Sequence, residues 1–319
     1  MTTTVDTTIE PELTDATRSY GSRPWRRFWR NRSATVSLIV LGIIILACFG
    51  TLMISAKEYY VQDLDANRQP PQLMPFAPFG YDILGRNIFW RCLFGGVVSL
   101  GIGLAAAAIS VIIGTLWGAV AGWYGGRIDN IMMRFVDILY GLPYILLIIL
   151  LKIAFEPKLI RLLDRIFGPG QERTANIVIL FLAIGGVSWL TMARVIRGQV
   201  LSLKAQPFIE AARALGLPAR QIILRHLLPN LVGPIIVYAT LTVPQAILQE
   251  SFLSFLGIGV QAPVPTWGSL AAEGVKAINT VVSFWWMVVF PSVLLGLTLL
   301  CLNFIGDGLR DVFDPKTRK

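Results

Sequence analysis

Between Arg32 and Lys57 the chain carries no charged residue, and no other feature restricts its fold as severely. A run of that length suits a bilayer, where roughly 20 apolar residues in a helix cross the hydrocarbon with every backbone hydrogen bond made internally. Uncharged or nearly uncharged runs recur at about residues 97–123, 175–195, 231–255 and 283–305. A weaker one covers about 131–155, with Arg134 and Asp137 near its start and Lys152 near its end. The pattern predicts an all-α membrane protein with six transmembrane helices. Composition agrees, since 55% of residues are hydrophobic and 15% charged, against about 25% charged in soluble domains. In so apolar a chain, a net charge of +9 points to loops beside anionic lipid more than to nucleic acid.

Residues 1–22 are rich in Thr, Asp and Glu and too poor in apolar residues to fold. They lack the apolar stretch of a signal peptide. Arg23, Arg26, Arg27, Arg30 and Arg32 then interleave with Trp25, Phe28 and Trp29. Such alternation also suits single-stranded nucleic acid. A span follows at once, however, so arginines at lipid phosphates and tryptophans at headgroup level make a juxtamembrane anchor the better reading. That places the N-terminus in the cytoplasm and, after six crossings, the C-terminus too. The expected organisation is a tail over 1–32, a first helix over 33–56 and an irregular, proline-rich extracytoplasmic loop over 57–96. A core of five further helices over 97–306 and a tail over 307–319 complete it.

The second span is rich in Gly and Ala, which let backbones approach closely in lipid, and reads as a core helix without a lipid-facing side. Arg134 and Asp137 share a helix face and are expected to pair, while Gly141 and Pro143 should kink the third span. Residues 156–173 carry Lys158, Arg161, Arg165 and Arg173 outside, against the positive-inside tendency. Their Leu159, Leu162, Leu163 and Ile166 spacing reads as a short amphipathic helix, on the membrane surface or against a partner. Cys48, Cys92 and Cys301 have no metal-ligand or redox spacing and read as buried filler.

Between the fourth and fifth spans lies QPFIEAARALGLPARQIILRHLLPN, residues 206–230 of a loop covering about 201–230. Pro207 suits a first helical position and Gly216 a left-handed C-terminal one. Pro218 opens a second helix, and Pro229 stops or kinks it. Phe208, Ala211, Ala212 and Leu215 fall at i, i+3, i+4 and i+7, an apolar face kept shallow by alanines. Such a face suits docking to another protein; the other reading is a helix–turn–helix folded against its own spans.

The residues Glu210-Ala211-Ala212, then Gly216, then Leu228-Pro229, resemble the EAA loop of the integral-membrane subunits of bacterial ABC importers. With His226 and Asn230 the HLLPN ending resembles the peptide/nickel branch, the dipeptide- and oligopeptide-permease C subunits. GYDILGRNIFWRCLFGG resembles that family's GTDxLGRDxxSRLxYG signature at Gly80, Asp82, Leu84, Gly85, Arg86 and Arg91, departing at Tyr81, Asn87 and Trp90. ILQESFLSFLGIGV resembles ILxExxLSFLGLG at Glu250, Leu253, Ser254, Phe255, Leu256 and Gly257. Pro265, Trp267 and Gly268 resemble the PxWG turn, and Asn303, Gly306, Asp307, Leu309, Arg310, Asp311, Asp314 and Pro315 the closing signature.

The resemblance implies the type I ABC importer permease fold, a subunit forming half of a pore for di- or oligopeptides in the bacterial inner membrane. It implies as partners a second homologous permease chain, two ATPase subunits and an extracytoplasmic binding protein. Glu210, Ala211, Ala212, Arg213, Gly216, Leu228 and Pro229 would form the cytoplasmic coupling element. Glu250, an acid inside an apolar segment, would stand at a gate or subunit seam. The chain has no GxxxxGK[ST] loop, so ATP and magnesium are assigned to the ATPases and no cofactor to this chain. His226 lacks a nucleophilic partner at catalytic spacing and reads as local packing. Within the family, nickel chelates or another small solute remain alternatives to peptides. A secondary transporter or channel would need more ionisable residues at mid-membrane than Glu250. An adaptor protein would make the EAA spacing coincidental.

Overall fold

The computed structural model describes residues 28–74, 76–278 and 282–313. The polar tail, the anchor as far as Arg27, and Asp314 and Pro315 lie outside the described residues. The helices are α1 (Arg32–Gly50), α2 (Leu52–Glu58), α3 (Ile88–Tyr124), α4 (Gly126–Tyr140), α5 (Tyr144–Phe167) and α6 (Glu172–Lys204). They continue with α7 (Pro207–Ala214), α8 (Ala219–Ile222), α9 (Leu228–Phe255), α10 (Trp267–Ala277) and α11 (Trp286–Phe313). By length and composition α1, α3, α6, the continuous α8–α9 and α11 are each long and apolar enough to cross a membrane; α4 and α5 meet that test only together, as a pair bent by 93°, and make a sixth when the pair is counted as one span. The all-α fold with six spans is therefore as the apolar runs predict.

Several helices overrun their apolar cores. α3 begins at Ile88, well before residue 97, because the Asn87 side chain accepts the Phe89 N–H at 3.0 Å and caps it. The third span departs most from expectation, since residues 131–155 do not form one kinked helix. Leu142 precedes a proline, which disfavours helical backbone there, and Pro143 caps a fresh helix with ψ of 120°. The axes of α4 and α5 consequently differ by 93°. α5 then runs on through Pro157 to Phe167. The Leu159/Leu162/Leu163/Ile166 stripe thus belongs to the far half of α5 and not to a separate short helix.

Small residues set the centre. On α3, Gly114, Gly118 and Gly122 recur at every fourth position, and a Cβ on them would overlap Met192, the Ala193 carbonyl and Val200 of α6 respectively. Gly103 meets Val243 and Ile247 of α9 in the same way. No hydrophobic force drives helices together in lipid, so close approach and dispersion supply the attraction. The core-helix expectation holds for these faces only, because Leu104, Ile112 and Leu116 of α3 are exposed. Cys48, Cys92 and Cys301 are free and buried.

The end of the bundle away from the 206–230 loop is closed by an ionic cluster. Asp82 and Arg91 are each 1% exposed at the side chain, joined at 2.6 Å. Arg91 also reaches Glu273 of α10 at 2.7 Å, and Arg86 bonds Asp82 at 2.7 Å. The second Asp82 oxygen accepts the N–H groups of Leu84 and Arg86 at 2.8 and 2.9 Å. The turn is held by Gly85, whose φ of 69° brings it against the Asp63 carbonyl. The described residues of 59–87 thereby form a folded cap, in which the Asp and both Arg of the signature make one neutralised network with Glu273. Trp267, fully buried, donates from its indole to the Cys92 carbonyl at 2.9 Å and seats α10 on α3. Lys152 donates to the Ile258 and Gly259 carbonyls at 2.6 and 3.3 Å, tying α5 to the turn after α9.

Candidate functional site

α7 is built as its residues predict. Pro207 occupies the first helical turn. The helix ends in a Schellman motif: the Leu217 N–H reaches the Ala212 carbonyl at 3.2 Å and the Gly216 N–H that of Arg213 at 2.9 Å. Gly216 takes the left-handed φ of 74° which that motif requires. Pro218 caps α8. Pro229 does not stop the helix: it falls in the first turn of α9, which continues from α8. A π-helical turn, Ile223–Leu227, lies directly before Leu228-Pro229, where the missing N–H and the ring's bulk force the preceding carbonyls apart.

The apolar face of α7 divides differently from the expected grouping. Ile209 and Ala212 are buried, packed with Ile222, Leu227 and Leu231 and with Ile196 and Val200 of α6. Phe208, Ala211 and Leu215 point away from the chain, Leu215 being 81% exposed. Ala212 is thus part of the loop's own core, and the free apolar stripe is Phe208, Ala211 and Leu215. Glu210 is exposed and, among the described residues, forms no ion pair. The Arg213 guanidinium lies 4.8 Å from the centre of the Trp123 ring. Lys204 donates to the Trp123 carbonyl at 2.6 Å, fastening the loop to the end of α3. Leu228 is half-buried and Pro229 exposed.

Beside the loop, α4 is laced to α6 by charge. Arg197 grips Asp129 with two nitrogens, one at 2.6 Å. Arg194 reaches Asp137 at 2.7 Å and stacks 3.9 Å from the Tyr140 ring centre. Asp137 therefore pairs across helices and not with Arg134. Local spacing pointed to the neighbour on the same helix; α4 lies against α6 instead, and Asp137 meets Arg194 there.

Glu250 is fully buried within this chain. One carboxylate oxygen accepts from the Ser254 hydroxyl at 2.6 Å and the Thr266 hydroxyl at 2.8 Å. Thr266 caps α10, so Glu250 is an internal strut between α9 and α10 and is not displayed at a subunit seam. A feature that sequence reasoning missed lies further along the same helix. Tyr238, Thr242, Gln245 and Gln249 border a cavity of about 410 Å³ shared with α6 and the α4–α5 break. Their i, i+4, i+7, i+11 spacing inside an apolar run was the available signal.

Residues 114–319 match the family described as "Binding-protein-dependent transport system inner membrane component", and residues 19–71 the "N-terminal TM domain of oligopeptide transport permease C". The chain is 45% identical over 295 residues to the oligopeptide transport system permease protein OppC of Haemophilus influenzae, covering 92% of this chain and 88% of that one. It is 44% identical over 293 residues to OppC of Escherichia coli K12, covering 92% and 90%. To the dipeptide transport system permease protein DppC of Bacillus subtilis it is 41% identical over 302 residues, covering 94% and 87%. Among solved structures, the inward-facing MetNI methionine ABC transporter superposes with a TM-score of 0.53 at 22% identity, over 70% of this chain and 97% of that one. That likeness shows the fold alone. The chain belongs to the family of binding-protein-dependent transport-system inner-membrane components, with the membrane-subunit fold of an ABC importer.

Proposed function

We propose that this chain forms one half of the translocation pore of an ABC importer for di- and oligopeptides, driven through α7 by ATPase subunits. The observation that carries the reading is the division of α7. One face is locked into the chain's own core, while Phe208, Ala211 and Leu215 stand unpartnered beside an unpaired Glu210. An apolar helix face left open next to a charge is a docking surface for another protein. The peptide relatives at 41–45% identity supply the substrate class. The partners are two ATPases that hold ATP and magnesium, a second permease that completes the pore, and a binding protein at the capped end.

The described chain ends, Phe28 and Phe313, lie at the same end of the bundle as α7: Phe28 packs on Gly308 and Phe313 on Gly233. With α7 facing the ATPases, both termini are cytoplasmic and the membrane is the bacterial inner one. Glu210 is set to meet a cation of the ATPase. Ala211 admits the close approach, and Gly216 with Leu228 and Pro229 sets the angle of the loop. Glu250 acts at the gate through the α9–α10 joint. ATP closes the ATPases, α7 moves with the cleft that holds it, and the spans tilt to alternate access. ATP drives this only by binding one arrangement more tightly than the other.

The test uses two neighbouring alanines. Ala211→Asp places a charge on the exposed stripe. ATP-driven peptide uptake should fall about tenfold or more, while chain abundance in the membrane stays at the parent level. Ala212→Asp buries that charge in the loop core and should lower abundance itself. Undiminished uptake by Ala211→Asp, with ATPases still co-purifying, defeats the docking assignment.

A further inference from the structure

We infer that the Tyr238, Thr242, Gln245 and Gln249 stripe of α9 is this chain's wall of the translocation path, and that its amides and hydroxyls hold the main chain of the passing peptide. The inference rests on the peptide-import reading above and adds the residues that would meet the substrate.

α9 has 28 residues, about 42 Å at 1.5 Å per residue, and the stripe, residues 238–249, begins and ends away from both of its ends. The opposite face, with Val243, Ile247, Glu250 and Ser251, is buried in the chain's own core. Gln245 and Tyr238 are exposed on the isolated chain. An amide at mid-membrane depth does not face hydrocarbon, because nothing there answers its donors and acceptors. It must therefore face water, another polar surface or a solute. The cavity against the stripe answers the first and third conditions, with Ser188 and Thr191 of α6 on its other wall.

Two details favour a peptide backbone as the solute. Gln249 lines the cavity, and its amide oxygen has no hydrogen-bond partner among the described residues, so its acceptor capacity is unused within this chain. Among the described residues, no charged side chain lines the cavity. Glutamine amides and hydroxyls both donate and accept, and so match the alternating N–H and C=O groups of any peptide. They carry no charge that would favour one side chain over another, and they bind weakly enough for release. A wall of this kind passes peptides of varied sequence.

The experiment uses the assembled transporter, with both permeases, the ATPases and the binding protein, in proteoliposomes. Uptake of trialanine, trilysine and triglutamate is compared for the parent chain and Gln245→Glu. A carboxylate in the path wall should raise the trilysine-to-triglutamate uptake ratio about fivefold or more. If uptake of all three falls by one common factor, Gln245 serves packing or the seam with the second permease, and the inference is overturned. If the parent assembly shows no ATP-driven peptide uptake, the function reading itself fails, a result distinct from failure of the stripe. Should Gln245→Glu not assemble, Gln245→Cys decides the matter, since the parent cysteines are all buried. Labelling by a water-soluble maleimide in the assembled transporter supports a water-filled path, and an unreactive thiol refutes it.

Discussion

Arg91 is the best place to test whether charge holds the outer cap to the helical core. Its guanidinium, 1% exposed, contacts Asp82 at 2.6 Å and Glu273 at 2.7 Å. Arg91→Met keeps the length of the side chain and removes its charge. Two guanidiniums facing two carboxylates become one facing two, with Arg86 left 2.7 Å from Asp82 and 3.4 Å from Glu273. Removing one partner of a buried ion pair costs about 3–5 kcal/mol, because the other charge stays desolvated. The Glu273 side chain is 31% exposed and can turn to water, so the Asp82 contact dominates and the low end, about 3 kcal/mol, applies. That corresponds to a roughly hundredfold larger population of the opened cap. Amide hydrogen exchange reads it directly at Leu84 and Arg86, whose N–H groups donate to Asp82. Adding Asp82→Asn to Arg91→Met removes both charges and should restore much of the protection. Exchange in Arg91→Met within about threefold of the parent, or a double variant worse than the sum of its singles, would refute the ionic account of the cap.

Two further substitutions probe packing and polar satisfaction. Gly118→Ala drives a methyl into the Ala193 carbonyl and should cost about 1–3 kcal/mol. Gly101→Ala, whose nearest neighbour is the Phe181 ring at 3.9 Å, should be tolerated; thermal melting in detergent compares the two. Lys152→Met strips the donor from the Ile258 and Gly259 carbonyls and should cost about 1–3 kcal/mol, seen as faster exchange at the Gln261 amide, which donates to Asn176 in that turn.

What the sequence made legible follows from the range of the forces involved. Crossing a bilayer demands an uninterrupted apolar run, so five of the spans declare themselves, and the third, interrupted by Arg134, Asp137 and Lys152, does so weakly. The bounds of α7 rest on Pro207, Gly216 and Pro218, which act within a turn or two and leave local marks. The sequence could not say which side of α7 is buried. Apolar residues stand on both sides, and the choice between Ile209 with Ala212 and Phe208 with Leu215 depends on where α6 and α9 arrive. The ion pairs were hidden for the same reason. Asp137 has Arg134 as a sequence neighbour yet pairs with Arg194, and Arg91 meets a glutamate 182 positions away. Pro143 marked the place of the break but not its angle, because a proline removes a hydrogen bond without dictating where the freed helix packs.

Where the 206–230 loop is fastened decides which helices its displacement reaches. Ile209 and Ala212 share one apolar cluster with Ile196 and Val200 of α6 and Leu231 of α9. Arg213 and Lys204 hold the Trp123 end of α3. α3 and α6 are in backbone contact through Gly114, Gly118 and Gly122, and close-packed interfaces move as units before they deform. A push on α7 therefore arrives at α3 and α6 together. α9 touches the same cluster near its start, through Leu231, and its chain connection to the loop is the π-helical turn Ile223–Leu227, where the regular hydrogen-bond ladder is interrupted and bending is easiest. The stiff contact and the soft turn act on opposite sides of the same cavity. On the proposed reading, displacing the loop shifts the Ser188 and Thr191 wall on α6 relative to the Gln245 and Gln249 wall on α9, and so alters the width of the cavity between them.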